Sequence, residues 1–306
     1  MSDPDTFLTA LYVAVDEMLA ASPPVPHPGP RAGLWPSEVV TLALFSQWAR
    51  FGSERDFYGY ATAHLHAAFP KLPSRTQLNR LIRRAHSAIV QVSQTLAAWL
   101  GPAAYEILDG TGVPVRNRQR RGAGWLPDRV AIGRCARLGW FEGFRLLLDI
   151  TPHGAITGYC LAAANANDRQ LAERFLAQRA RPDPTAACVG VPPASGVYLA
   201  DSGFSGVTLE RRYQDCYGAT VVCPPQTNSR RAWSPDWRLW LAQHRQLVET
   251  VIDRLLRTFR LAQERPHTFA GFDARLAAKM ALHNFCLWFN IQRGQPPLTI
   301  ATVLGW

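Results

Sequence analysis

The first hundred residues repeat apolar side chains at helical spacing, which predicts an all-α N-terminal region. Four helices are predicted, with the bounds 4–21, 36–50, 54–67 and 74–100. Pro23 and Pro24 end the first helix, and Ser74 is the predicted N-cap of the last. Residues 22–35 contain five prolines and two glycines, so we predict a linker there.

After Pro102 the pattern changes to short apolar or alternating runs bounded by glycine, proline or aspartate, which is typical of β-strands. Strands are predicted over 105–109, 143–151, 155–163, 196–201 and 217–223. The turn sequence TPHG joins the second and third strands into a hairpin, and helices are predicted over 167–179 and 205–213. The order is strand, hairpin, helix, strand, helix, strand and a last amphipathic helix. It predicts an α/β domain after the helical region.

Three carboxylates stand out against these elements. Asp109 in YEILDG and Asp201 in VYLADSGFSG each follow an apolar run, so we expect both at the ends of buried strands. Glu249 lies at the edge of the apolar stripe of the last helix, from which it can lean over the strand ends. Asp253, one turn later, is the fallback for this third acid. Any single one is explained as well by a turn aspartate or by a surface glutamate paired with Arg245, but three in this order indicate a shared site.

Remote acids of this kind can be assembled by a fold into a site for divalent cations. Two such ions roughly 3.5 to 4 Å apart can activate water or a 3′-hydroxyl and stabilise the leaving oxygen in phosphoryl transfer. Oxygen ligands favour Mg²⁺ or Mn²⁺, and the scarcity of histidine and cysteine beside these acids argues against zinc. We therefore expect two ions, with Asp109 bridging both while Asp201 and Glu249 each hold one.

The net charge of +10 lies almost entirely beyond residue 104, because the first 104 residues carry eight basic and seven acidic side chains. From Arg116 to Arg137 there are seven arginines and one acid, Asp128. Such a segment directly after the first acid indicates a polyphosphate partner, most simply nucleic acid. The alternative is a solvated loop in a chain with 31 arginines and two lysines. The residues expected to contact the DNA backbone are Arg116, Arg118, Arg120 and Arg121.

The six cysteines form no CxxC pair, so we expect reduced, buried thiols rather than a zinc site. The N-terminal segment lacks a basic region of the kind that precedes a signal sequence. No apolar run approaches the roughly 18 residues of a membrane span. These observations predict a cytoplasmic, nucleoid-associated protein without a membrane partner.

The motifs and their order resemble those of the DDE transposases of bacterial insertion sequences, which have an RNase H-like catalytic domain. The resemblance covers residues 105–293 and rests on LDG at the first acid, ADSGFSG at the second and RxxxE on the late helix. FPKLPSRTQLNRL is similar to the N-terminal part of the family. The resemblance implies that Asp109, Asp201 and Glu249 are the catalytic metal ligands of an enzyme that cleaves element ends and joins them to target DNA. It implies three parts: a helical DNA-binding region (1–102), an RNase H-like catalytic domain (103–293) and a tail (294–306).

The third motif departs from the family pattern. Related transposases often carry a tyrosine three residues before the arginine and a lysine seven residues after the glutamate. Arg245 fits and is a predicted DNA contact, but Ala242 and Leu256 occupy those two positions. We expect Arg254 or Arg257 to replace the lysine contact with the terminal phosphate. In the second motif, Phe204 stands where tyrosine is common.

The implied partner is double-stranded DNA, both as the terminal inverted repeats and as the target, and a homodimer is expected in the synaptic complex. In the helix that begins at Ser74, polar side chains suited to bases and phosphates are Arg75, Thr76, Asn79, Arg80, Arg83 and Arg84. We predict DNA contacts for Arg80 and Arg83, against an ordinary solvated face. Trp233, Trp237 and Trp240 are either stacking surfaces for unpaired bases or, more simply, aromatic anchors. Two alternative functions are a nuclease without strand transfer and a non-catalytic DNA-binding protein derived from a transposase.

Overall fold

The computed structural model describes residues 1–20, 33–116, 126, 128–182, 188–190, 196–226 and 233–305. The chain divides into two compact units. The helical unit comprises Met1–Trp99, Arg257–Leu261 and Pro266–Trp306, and the sheet unit comprises Leu100–Leu256 and Ala262–Arg265. The helical unit is therefore built from both ends of the sequence. No helix among the described residues is long and apolar enough to cross a membrane.

Among its described residues, the helical unit contains six α-helices: α1 (Pro4–Ala20), α2 (Pro36–Phe45), α3 (Glu54–His64), α4 (Arg75–Arg84), α5 (His86–Trp99) and α9 (Phe269–Gln292). Helix α9 is buried along most of its length and packs against α2, α4 and α5. Phe7 of α1 lies at the centre of an aromatic core, with its ring centroid 5.3 Å from those of Phe285 and Phe289. The apolar faces of the N-terminal helices thus pack around one central helix, α9.

Two predicted helices are shorter than expected. The helix predicted over 36–50 ends at Phe45, where the Ser46 hydroxyl donates a hydrogen bond to the carbonyl of Ala43. The helix predicted over 74–100 is interrupted at Ala85, and α5 begins at His86, which forms an ion pair with Asp273 of α9. No glycine or proline stands at this interruption, and the apolar residues keep their helical spacing across it. The sequence therefore gives no signal of the break.

The sheet unit is organised around seven strands: β1 (Glu106–Arg116), β2 (Ala131–Cys135), β3 (Gly139–Ile150), β4 (Ile156–Ala163), β5 (Cys188–Gly190), β6 (Val197–Leu199) and β7 (Thr220–Val222). The strand order is β5-β4-β3-β1-β6-β7, and β2 pairs with β3 beside β4. Strand β1 is antiparallel to β3 and parallel to β6, and β7 is parallel to β6. The sheet is therefore mixed, with β1 near its centre.

The expected fold class is confirmed in its layout: an all-α region precedes an α/β domain whose mixed sheet is flanked by helices. The predicted hairpin is β3 and β4, closed at Thr151 to Gly154. Two strands were missed. Strand β2 lies in the arginine-rich segment that was interpreted as a loop, and β5 is a three-residue strand; both are short and form by pairing with a longer neighbour.

Helices α6 (Asp168–Ala180) and α7 (Val207–Tyr217) pack on the same face of the sheet, over a core that includes Leu108, Leu147 and Tyr198. Helix α8 (Pro235–Arg257) belongs to the sheet unit up to Leu256.

One cysteine prediction was wrong: Cys160 and Cys188, directly paired on β4 and β5, form a disulfide. Pairing of the two strands brings the two thiols together, which spacing along the sequence does not reveal.

Candidate active site

Asp109 lies within the central strand, and the expectation that it ends a strand was wrong. Strand β1 continues past it to Arg116 because β3 pairs with it along this whole length, from Ile107 opposite Ile150 to Arg116 opposite Glu142. Side chains alternate along a strand, so Asp109 points away from the face covered by α6. Its side chain is 15% exposed, and its Oδ1 accepts a hydrogen bond from the backbone N–H of Gly110 at 2.9 Å.

Asp201 lies beside Asp109 because of the register between β1 and β6. Glu106 pairs with Tyr198 and Ile107 with Leu199, so a step of two residues along each parallel strand reaches the two acids. Asp201 follows the end of β6, as predicted, and its Oδ1 accepts a hydrogen bond from the Gly203 N–H at 2.7 Å. The Gly203 bond fixes the carboxylate at the start of the short 3₁₀ turn Ser202–Phe204.

Helix α8 carries both Arg245 and Glu249, one turn apart and hence on one side of the helix. An Arg245 Nη2 atom lies 3.8 Å from Oδ1 of Asp109. Glu249 is exposed, and Val248 beside it is buried. The structure therefore brings α8 to Asp109 through Arg245, a residue that the sequence suggested for DNA contact.

The electrostatics of Asp109 link all three acids. Burial raises the pKa of Asp109 to about 6, while Arg245 and the Gly110 N–H lower it and the charges of Asp201 and Glu249 raise it. Three residues separated by 92 and 48 positions, from 109 to 201 and from 201 to 249, thus share one electrostatic environment. Arg245 lowers the pKa of Asp109, but burial and the two neighbouring carboxylates outweigh its effect.

The donor chemistry of these acids fits a hard divalent cation, since every side-chain donor is a carboxylate oxygen and the most buried one carries an undercompensated charge. In the described parts of the chain, however, no three His, Cys, Asp or Glu side chains are already gathered closely enough to hold a metal ion. The acids are neighbours rather than a closed cage. This arrangement suits a metal that is also held by a phosphate-bearing substrate.

Asp253, the fallback for the third acid, has a different partner. Its Oδ1 lies 3.5 Å from Nη1 of Arg137, at the turn between β2 and β3. Both side chains are about two-fifths exposed, at 44% and 40%. Glu249 acts on the pKa of Asp109, which favours it as the third acid.

The other predicted DNA contacts fall into three groups. Arg118, Arg120 and Arg121 lie outside the described residues, as does the side chain of Arg116 at the end of β1. Arg80 and Arg83 are exposed on α4 of the helical unit. Arg254 is half-buried and Arg257 exposed in the last turn of α8.

The three predicted tryptophans form a row along the start of α8. Ring centroids are 6.4 Å apart between Trp233 and Trp237 and 5.4 Å apart between Trp237 and Trp240. Trp240 continues the row to His244 at 4.1 Å and also contacts Tyr105. Trp240 is thus an anchor for α8, while Trp237 is 58% exposed.

Sequence reasoning missed the residues that support the acids from behind the sheet. Asp168 and Arg169 open α6, and Arg145 on β3 forms a two-point ion pair with Asp168. The capping residue Asn167 was a signal for the start of a helix. The sequence positions of Asp168 and Arg169 gave no sign that these residues contact Gly110 and Gly203.

Comparison with known proteins gives one extensive match. The family model described as "Transposase DDE domain" matches residues 107–285, more than half of the chain, and this span contains all three acids. Among solved structures, the chain is similar to the Mos1 transposase paired-end complex with left transposon end, at 11% identity over 79% of this chain and 82% of that one, with a TM-score of 0.23.

A shorter match involves a curated protein. A stretch of 98 residues is 33% identical to a glycogen synthase of Rhodopseudomonas palustris (strain BisB18). It covers 32% of this chain and 20% of that protein, so the chain spans about one fifth of the length of this relative.

Proposed function

This chain belongs to the DDE transposase family, and we propose that it cleaves DNA at the ends of an insertion sequence and transfers the freed 3′ ends into target DNA. The observation that carries the proposal is geometric: inside the matched domain, the register of β1 and β6 sets Asp201 beside Asp109, and the Arg245 contact of 3.8 Å brings α8, which carries Glu249, to the same place. The three acids come from a central strand, a strand end and a late helix, in the order that the resemblance implies.

Members of this family generally use divalent metal ions. In our proposal Asp109, Asp201 and Glu249 would hold the two Mg²⁺ or Mn²⁺ ions. Such ions activate a water or 3′-hydroxyl and stabilise the charge that develops on phosphoryl oxygens. At neutral pH Asp109 is mostly ionised, since its pKa is about 6, so it is ready to act as a ligand.

Arg245 has two roles in this proposal. Its guanidinium, 3.8 Å from Oδ1 of Asp109, lowers the pKa of that carboxyl and so keeps it in the ligating form. As a planar donor it can also bind a phosphate oxygen of the DNA. The net charge of +10 supports a polyanionic partner, and Arg80, Arg83, Arg254 and Arg257, together with the arginines at 116, 118, 120 and 121, remain predicted contacts.

The test uses labelled duplexes taken from the DNA on either side of the gene, incubated with Mg²⁺ or Mn²⁺ and a supercoiled target plasmid. We expect the wild type to cut one flank sequence at a fixed position and to join it to the plasmid. Asp109→Asn, Asp201→Asn and Glu249→Gln should bind the duplex but neither cut nor join it. Asp236→Asn, an exposed acid in the first turn of α8, is the matched control and should retain both activities.

Each alternative function predicts a different result. Cutting without joined products identifies a nuclease, and binding without cutting by the wild type identifies a non-catalytic DNA-binding protein. Cutting that survives in all three acid variants contradicts the proposed site. Mixing two duplexes of different length, and counting both in one complex by gel mobility, tests the proposed homodimeric synapse.

A further inference from the structure

We propose that Asp168 and Arg169, the first two residues of α6, are positioning residues that hold the two strand-borne acids at a fixed separation. The inference rests on the proposed function, since it concerns how Asp109 and Asp201 are kept ready for metal ions. Neither residue belongs to the acid triad. Both act through a glycine whose backbone N–H donates to one of the acids.

Arg169 fixes the segment that follows Asp201. Its Nε donates to the carbonyl of Gly203 at 2.7 Å, and its Nη2 donates to the carbonyl of Ser205 at 3.1 Å. The N–H of the same Gly203 donates to Oδ1 of Asp201 at 2.7 Å. One glycine is thus held by Arg169 at its carbonyl and orients Asp201 through its amide.

Asp168 supports the segment at Asp109 in a parallel way. A Cβ placed on Gly110 would lie 2.8 Å from Oδ1 of Asp168, so the carboxylate packs directly against the strand at this glycine. The N–H of Gly110 donates to Oδ1 of Asp109. Asp168 cannot turn away, because Arg145 holds it by two contacts, one of them between Nε and Oδ1 at 2.5 Å.

Helix α6 is also tied to β1 at its far end. Nη2 of Arg179, one residue before the end of the helix, lies 2.6 Å from both carboxylate oxygens of Glu106 at the start of β1. Both side chains are almost completely buried. Helix α6 therefore contacts β1 at two points: Asp168 packs at Gly110, next to Asp109, and Arg179 binds Glu106 at the start of the strand. Two contacts fix the helix against the strand.

The need for such a support follows from the charges of the site. Asp109 and Asp201 repel each other when no cation lies between them, and repulsion favours rotation of either carboxylate toward water. Groups that orient metal ligands from outside typically contribute 10-fold to 100-fold to metal affinity or activity. Asp168 and Arg169 are adjacent in α6, and each supports one of the two acids. In our proposal α6 therefore sets the distance between Asp109 and Asp201.

The test measures Mn²⁺ binding to the full-length protein by the loss of the electron paramagnetic resonance signal of free Mn²⁺, together with kcat and KM for cleavage of the flank duplex. Arg169→Met removes both hydrogen bonds to the loop. We expect Mn²⁺ affinity and kcat to fall roughly 10-fold to 100-fold while KM for DNA stays unchanged. Arg174→Met, an exposed arginine of the same helix, is the control and should match the wild type.

A second variant covers the possibility that Arg169→Met does not fold. Arg169→Lys keeps the charge and one donor but cannot reach two carbonyls in a fixed fork, so it should recover only part of the Mn²⁺ affinity. Asp168→Asn should also weaken Mn²⁺ binding, by less than Arg169→Met, because it keeps the shape against Gly110. Circular dichroism and the unfolding midpoint verify that each variant is folded.

The outcomes separate the two proposals. If a folded Arg169→Met variant binds Mn²⁺ and cleaves DNA like the wild type, while Asp109→Asn does neither, the positioning role is wrong and the proposed function stands. If Arg169→Lys binds Mn²⁺ as tightly as the wild type, the two-carbonyl contact is not what positions Asp201. If the wild type and Asp109→Asn bind Mn²⁺ equally, the acids are not the metal site and both proposals are overturned.

Discussion

Glu106 and Asp109 lie three residues apart on β1, but their carboxylates are compensated in different ways. Glu106 is 3% exposed, and both of its oxygens lie 2.6 Å from Nη2 of Arg179. Asp109 is 15% exposed, and the arginine beside it, Arg245, lies 3.8 Å away. One acid is bound to its arginine, and the other keeps a longer and weaker contact.

Arg179 joins Glu106 to a second buried acid, Asp149. Arg179 also lies 3.8 Å from Asp149, which accepts a hydrogen bond from the Thr157 hydroxyl at 2.6 Å. Complete burial and the nearby Glu106 raise the pKa of Asp149 well above its ordinary value. The charge of Arg179 opposes this rise, and the Thr157 hydrogen bond opposes it too.

The acids around Asp109 are not balanced in this way. Asp201 and Glu249 add negative charge beside Asp109 and Arg245, and their side chains reach toward solvent. The same strand thus carries a carboxylate that supports the fold and one whose charge is left for a ligand to neutralise. The distance to the arginine, 2.6 Å for Glu106 and 3.8 Å for Asp109, therefore separates the structural acid from the candidate catalytic one.

The largest effect should be on the rate of cleavage. Asp109→Asn removes one ligand charge without changing the shape of the side chain, and we expect cleavage to fall roughly a thousandfold, equivalent to about 4 kcal/mol. The fold should lose no stability, because above pH about 6 the substitution removes an unfavourable buried charge. Single-turnover cleavage of the flank duplex and a denaturant titration on the same sample measure both properties; a variant that is inactive because it is unfolded contradicts the comparison.

The second effect is on stability and concerns the other acid. Arg179→Met leaves Glu106 buried without its counter-charge, and we expect the free energy of unfolding to fall by about 3 to 5 kcal/mol. Urea denaturation followed by circular dichroism measures it. Arg174→Met on the same helix is exposed and should change the value by less than about 0.5 kcal/mol. Equal effects of the two variants would show that the buried cluster contributes no special stability.

The order of elements was predictable because it depends on local pattern. The helices α1, α3, α6 and α7, the hairpin β3–β4 and the strands around the two aspartates follow from apolar period and turn residues. The break at Ala85 was not predictable, since no glycine or proline produces it. The length of β1 was also missed, because Gly110 and Gly112 signal a turn but are held in the strand by pairing with β3.

The candidate site was predictable only as far as its motifs extend. Asp109, Asp201 and Glu249 have local contexts that a sequence displays. The roles of Asp168, Arg169 and Arg179 depend on which backbone each side chain meets after α6 packs on the sheet. The pairing of Cys160 with Cys188 likewise depends on strand register. The residue pattern of one segment does not show which distant segment it will contact, so these contacts could not be predicted from the sequence.

A third effect follows from the pKa of Asp109 and has a defined sign. The pKa of the carboxyl is about 6 in the folded protein and 3.8 in the unfolded chain, so folding favours the protonated form. The associated stability is present below pH about 4 and is lost as pH rises to about 6, by roughly 3 kcal/mol at most. Asp109→Asn avoids this loss.

The corresponding measurement compares unfolding free energies of the two proteins from pH 4 to pH 8 without divalent metal, with the range chosen to bracket a pKa of about 6. We expect the variant to be more stable above pH about 6 and the difference to vanish near pH 4. A difference that does not change with pH would mean that Asp109 carries no unfavourable charge in the folded protein.

The smallest effect separates the two candidates for the third acid. Asp253 pairs with Arg137 through an exposed contact of 3.5 Å, and such pairs contribute at most about 1 kcal/mol. Asp253→Asn should therefore lower the unfolding free energy by less than that and change single-turnover cleavage by no more than about threefold. Glu249→Gln, one turn earlier on the same helix, should abolish cleavage with little change in stability. If instead Asp253→Asn abolishes cleavage and Glu249→Gln does not, the third ligand is the acid that contacts the β2–β3 turn.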